Sequence, residues 1–81
     1  MSGVVRVKFF ANFREVAGTN DLEIEAKTLE ELLENLKLRY PGMEKLYSYA
    51  IIMVNGRQAK DTNLRLESED VVALLPPVSG G

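Results

Sequence analysis

The stretch TLEELLENLKLRYPG, residues 28–42, restricts the fold of this chain more than any other segment. Thr28 and Glu31 stand at capping-box spacing. The threonine oxygen can accept from the third helical amide while the glutamate reaches back to the amide of the capping residue, an exchange worth about 1 kcal/mol. The helix should therefore begin at Leu29. Leu29, Leu32, Leu33, Leu36 and Tyr40 then recur at i, i+3, i+4, i+7 and i+11 as one apolar stripe, while Glu30, Glu34 and Lys37 face outward. Pro41 and Gly42 stop the helix. A leucine stripe at this spacing belongs to a core, and each fully buried leucine contributes about 1.5–3 kcal/mol. The rest of the chain must supply a layer to cover it.

Period-two segments supply that layer. VVRVKFF, residues 4–10, sets Val5, Val7 and Phe9 on one face and Arg6 and Lys8 on the other. ANFREVAG gives a short helical or turn segment closing on Gly18. DLEIEA alternates again, with Leu22, Ile24 and Ala26 opposed to Asp21, Glu23 and Glu25, as a second strand antiparallel to the first. AIIMV, residues 50–54, has strand length, Asn55-Gly56 is the preferred type I′ hairpin pair, and RQA is the return strand. After the irregular KDTNLRLESED, VVALL at 71–75 is apolar enough to be covered on one face and partly on the other, so it belongs in the middle of a sheet.

The order strand, strand, helix, strand, short strand, strand predicts a two-layer α+β domain over residues 1–75. A crossover through the helix lets the last strand lie parallel to the first in mid-sheet. That pattern is a β-grasp, a mixed sheet of four to five strands on one main helix. The chain then leaves the domain from its centre.

Composition narrows the function. At 81 residues there is room for one domain. Twelve acidic and ten basic side chains, with no dense Lys/Arg cluster, do not make a nucleic-acid footprint. No apolar run approaches the roughly 20 residues of a membrane span, and MSGVVRVKFF alternates instead of building a signal-peptide core, so a cytoplasmic location is expected. Cys and His are both absent. That removes disulfides, Cys/His zinc sites, thiol nucleophiles and His-dependent triads. The carboxylates Glu23, Glu25, Glu30, Glu31, Glu34, Glu67, Glu69 and Asp70 fall at positions the pattern assigns to solvent. The expectation is no catalytic residue of its own and no metal.

What remains is the ending, PPVSGG, residues 76–81, expected to be a flexible extended tail. Pro76 and Pro77 cannot donate ladder hydrogen bonds and favour an extended path, so they end the strand and hold the tail off the sheet. Val78 and Ser79 supply contact and spacing. Gly80 and Gly81 lack Cβ, so backbone can enter a narrow channel. At roughly 3.3–3.6 Å per residue, six residues reach about 20 Å, enough to enter a buried site on a partner.

VKFFANFREVAG near the start, the capped leucine helix ending in Tyr-Pro-Gly, and EDVVALLPPVSGG at the end resemble the MoaD/ThiS-like family of ubiquitin-like sulfur carriers, the MoaD branch above all. One departure is visible: the turn before the last strand usually carries Gly-Asp, and here it is Glu69-Asp70, which brings the turn geometry into question. The resemblance implies that the Gly81 carboxylate is adenylated with ATP by a MoeB-like activating enzyme and converted to a thiocarboxylate. That group would then give sulfur to a pterin precursor inside a MoaE-like large subunit, on the way to the molybdenum or tungsten cofactor. It also implies docking through the outer face of the sheet. Strand alternation turns Ala73 and Leu75 outward, so Phe10 and Leu75 are candidates for an apolar patch beside the tail, with Arg14 at its rim. The alternatives are that Phe10 folds back into the core and that Arg14 is merely solvated. Other readings of the whole chain are a modifier joined through Gly81 to lysines, a carrier for thiamine or tRNA thiolation, and an interaction domain without C-terminal chemistry.

Overall fold

The computed structural model describes residues 3–77. Strand β1 (Val4–Phe9) leads through α1 (Asn12–Ala17) to β2 (Asp21–Glu25). Helix α2 (Leu29–Arg39) follows, then a 3₁₀ turn (Pro41–Met43), α3 (Glu44–Tyr47), β3 (Ile51–Val54), β4 (Arg57–Gln58) and β5 (Val71–Leu75). The five strands form one mixed sheet in the order β2-β1-β5-β3-β4. β1 pairs antiparallel with β2 and parallel with β5, and β3 is antiparallel to both β5 and β4. This is the β-grasp arrangement, with the last strand central.

The alternation of β1 and β5 decides which side chains meet the helix. Val5, Val7 and Phe9 join Val72 and Leu74 in one buried cluster with Leu29, Leu32 and Leu36 of α2. Leu33 and Tyr40 close the margin of the stripe half-buried, and the Tyr40 ring stands edge-on to Phe9 at 6.0 Å and 81°. Ile52 and Val54 of β3 pack against the same cluster.

The N-terminus of α2 is held from two sides. Thr28 Oγ1 accepts from the Glu31 amide at 3.1 Å, as its spacing predicts. Glu31 Oε1, however, accepts from the Lys27 amide at 2.8 Å, one residue before the expected Thr28 amide. The chain enters the helix paired with the loop before β5, through Leu66 N–H to Lys27 O and Leu29 N–H to Leu64 O, and in that geometry the glutamate meets Lys27. The Glu30 amide donates to Thr62 O at 2.8 Å, so the orphan donors of the first turn end on the loop rather than in water. Leu66, inside a segment whose sequence reads as irregular, is buried in the core.

The 3₁₀ turn and α3 are additions to the expected plan. Four helical residues are too few for a periodicity to show. Met43 is nonetheless fully buried, and the Tyr47 ring stacks on Phe13 at 6.4 Å and 25°.

Two turns fix the ends of the central strands. Asn55 and Gly56 have φ of 52° and 83°, the left-handed pair that a type I′ hairpin requires. Asn55 then extends beyond its own hairpin. Its Nδ2 donates to Asp70 Oδ1 at 3.0 Å, and its Oδ1 accepts from the Val71 amide at 2.9 Å. Asp70 Oδ2 accepts from the Glu67 amide at 2.7 Å. Asp70 is therefore a half-buried turn anchor, in contrast to the solvent position its pattern suggests. Glu69 beside it sits at φ 74°, so the turn keeps a glycine-like conformation although glutamate occupies the position.

Candidate docking surface around the end of β5

The central, parallel placement of β5 carries the chain out of the sheet at the same end as the end of β1. Phe9 is the register partner of Leu74, and the Phe10 amide donates to Leu74 O at 3.2 Å. Phe10 thus stands beside the last residues of β5. Its ring is 43 % exposed, so it does not fold back into the core.

The turn that presents Phe10 is unusual. Ala11 adopts φ 53°, ψ −123°, and Phe13 N–H closes the turn onto Phe10 O at 3.0 Å. That is a type II′ corner, a conformation glycine normally supplies. Helix α1 then runs to Gly18, which takes φ 74° and donates to Arg14 O at 2.8 Å, the left-handed helix end its sequence suggests. Arg14 is exposed and lines, with Phe10, Lys8, Asn20 and Asp21, a shallow groove of about 310 Å³. It makes no ion pair among the described residues. The structure therefore brings Phe10 and Arg14 together.

Leu75 does not line that groove. It belongs to a second apolar strip on the outer face, where cross-strand partners Ile51 and Leu75, and then Met53 and Ala73, lie side by side, with Val71 completing the row. All five are only partly buried and none packs against the core. The sequence reading placed Leu75 and Ala73 outward correctly but missed Ile51 and Met53. The signal lay in AIIMV, where alternation within an unbroken apolar run assigns Ile52 and Val54 to the core and the other two to the opposite face. Across β1 the same face turns charged, with an Arg6–Glu23 ion pair at 3.2 Å.

Pro76 is half-buried and Pro77 exposed. The tail residues Val78, Ser79, Gly80 and Gly81 lie outside the described residues. Among the described residues no helix is long and apolar enough to cross a membrane.

A five-stranded mixed sheet grasping one main helix, with the final strand central and parallel to the first, defines a ubiquitin-like domain. A model of the ThiS family matches residues 7–81, and the chain belongs to that family. It is 31 % identical over 86 residues to the molybdopterin synthase sulfur carrier subunit of Dictyostelium discoideum, covering 100 % of both chains. Two solved structures extend the comparison. Small archaeal modifier protein 1 from Methanosarcina acetivorans superposes with a TM-score of 0.85 at 29 % identity, covering 100 % of this chain and 99 % of that one. A chain in the complex of subunits 1 and 2 of a molybdopterin-converting factor from Helicobacter pylori gives 0.74 at 29 % identity, covering 96 % of this chain and 99 % of that one.

Proposed function

We propose that the chain is a non-catalytic sulfur carrier, the small subunit of a molybdopterin synthase, acting in the cytoplasm through the carboxylate of Gly81. The observation that carries this reading is the exit of the chain from the centre of the sheet, between the exposed Phe10 and the apolar strip ending in Leu75. A tail leaving there is delivered straight into whatever docks on the outer face. The ThiS family match, which runs through residue 81, supports it.

In this reading a MoeB-like enzyme binds the outer face and guides the tail to ATP. The Gly81 carboxylate attacks the α-phosphorus, pyrophosphate leaves, and an acyl-adenylate forms. A sulfide equivalent supplied by a separate donor displaces AMP and leaves a thiocarboxylate. A MoaE-like subunit then uses the same surface, and sulfur passes to a pterin precursor. The carrier contributes no acid, base or metal. Its part is to hold the tail in line, with Phe10, Leu75 and Arg14 as contacts and Pro76 and Pro77 as the stiff base. Gly80 and Gly81 form the narrow tip, with Val78 and Ser79 between.

The test is pyrophosphate exchange with ATP in the presence of the adenylating enzyme. Deleting Gly81 or adding one residue after it should abolish exchange while the thermal melt stays unchanged. Exchange at the normal rate in either variant sinks the proposal. A second reading, a protein modifier joined through Gly81 to lysines, is favoured by the likeness to small archaeal modifier protein 1. Intact-mass analysis of protein from its own host separates the two. Sulfur in place of a terminal oxygen supports the carrier, and Gly-Gly remnants on lysines of other proteins support the modifier.

A further inference from the structure

We propose that Met53 is a site of reversible oxidation by hydroperoxides, and that its sulfoxide releases the outer face of the sheet from the large subunit. This rests on the carrier reading, in which an activating enzyme and then a large subunit cover that face.

Side-chain sulfur in this chain is confined to methionine, since the sequence holds three methionines and no cysteine. Met1 lies outside the described residues. Met43 is fully buried and its Sδ accepts from the Tyr47 hydroxyl at 3.7 Å, so an oxidant in solution does not reach it. Met53 is placed differently. It is only partly buried, within β3 on the outer face, and does not pack against the core. Its register partner on β5 is Ala73, whose methyl is too short to cover a thioether, and its partner on β4 is the exposed Gln58. With no thiol in the chain to react first, Met53 is the softest accessible nucleophile among the described residues.

The step balances with a hydroperoxide as the oxidant. A sulfur lone pair attacks the outer peroxide oxygen, the O–O bond breaks and an S–O bond forms. Sulfur gives up two electrons, and the peroxide leaves as water or an alcohol. A dithiol reductant reverses the change, taking the oxygen off as water and closing to a disulfide.

Position makes this a change of binding rather than of folding. In the free domain the new oxygen stands in water and costs the fold little. Under a partner it is enclosed beside Ile51, Val71, Ala73 and Leu75, none of which carries a side-chain donor. Gln58, on the edge strand, is the polar neighbour in register, and a sulfoxide turned toward it is drawn off the strip. An acceptor left dry and unpaired weakens a complex about five- to a hundredfold. Methionine suits the strip for the reason that makes it vulnerable: its unbranched, polarizable side chain adapts to two different partners. A seated partner shields the sulfur, so oxidation acts on the free carrier.

The experiment treats the full chain with hydrogen peroxide, stops the reaction with catalase and maps sulfoxides by mass spectrometry of peptides. Met53 should be oxidised well before Met43, and a saturating MoaE-like subunit present during treatment should protect it. Titration calorimetry of the treated chain against untreated large subunit should show a loss of about five- to a hundredfold. The melt of the free domain should not change, and methionine sulfoxide reductases with dithiothreitol should restore affinity. Met53→Leu should bind with one affinity before and after peroxide, which excludes Met1 and Met43 as the cause. The proposal is overturned if Met43 is oxidised as fast as Met53, if the large subunit gives no protection, or if Met53→Leu loses as much affinity as the parent. An untreated parent that fails to bind the large subunit sinks the carrier reading and the switch with it, whereas binding that ignores oxidation sinks the switch alone.

Discussion

Replacing Ala11 by glycine should make the domain more stable, although glycine is the most flexible residue. At φ 53°, ψ −123° the Ala11 Cβ crowds its own backbone, and a residue held in such a region costs about 1–3 kcal/mol. The side chain is exposed, so removing it forfeits no packing. Glycine loses more freedom on folding, which returns about 0.4–1 kcal/mol of the gain. The balance is a stabilisation of about 1 kcal/mol, which for a domain of this size raises Tm by about 4–8 °C. Differential scanning calorimetry of the parent and Ala11→Gly measures it, and Ala11→Val provides the converse, since a β-branched side chain fits this corner least. A Tm for Ala11→Gly at or below that of the parent would refute the reasoning and remove the strained corner beside Phe10.

Glu69→Gly tests the same physics at φ 74°, a milder left-handed site, and should leave Tm unchanged or raise it by a few degrees in the same calorimeter. Leu75→Glu should cost several kcal/mol of affinity for the large subunit by titration calorimetry, because it buries an unpaired charge, while the melt of the free domain moves far less. A collapsed melt would instead make Leu75 a core residue. Tyr47 answers to pH: burial pushes its phenol well above the ordinary tyrosine range, and among the described residues its hydroxyl donates only to Met43 Sδ at 3.7 Å. Because the folded value is the higher one, its share of stability is complete below the ordinary tyrosine pKa and declines as pH rises beyond it. Tyr47→Phe should flatten that alkaline decline in pH-dependent melts and leave neutral-pH stability nearly unchanged.

What could be read from the residues was what repeats. The stripe of α2, the alternation of β1 and β5 and the Asn55-Gly56 turn each state their geometry within a few neighbours, and together they were enough to place β5 in the centre. Two other features depend on contacts between segments distant in sequence, and a third is local but unmarked. Leu66 is buried because its loop closes over the start of α2, and nothing in KDTNLRLESED distinguishes it from the exposed Leu64. Asp70 is a turn anchor because Asn55, fifteen residues earlier, reaches it. The Ala11 corner carries no glycine to announce it. On the candidate surface, Phe10 and Leu75 were legible from alternation, whereas Ile51 and Met53 were hidden within an apolar run with no polar partner to mark the outward positions.

The central position of β5 also sets how the domain bears load. Val71–Leu75 is held on one side by β1 and on the other by β3, with four residue pairs on each. β1 runs parallel to it, so a pull on the tail against the beginning of β1 slides the two strands along one another. The rungs between them then resist together instead of parting one after another, as they would if an edge hairpin were peeled. A partner that grips residues beyond Pro77 and draws them inward thus pulls on the most firmly seated strand of the sheet, and the tension is spread across the whole grasp around α2.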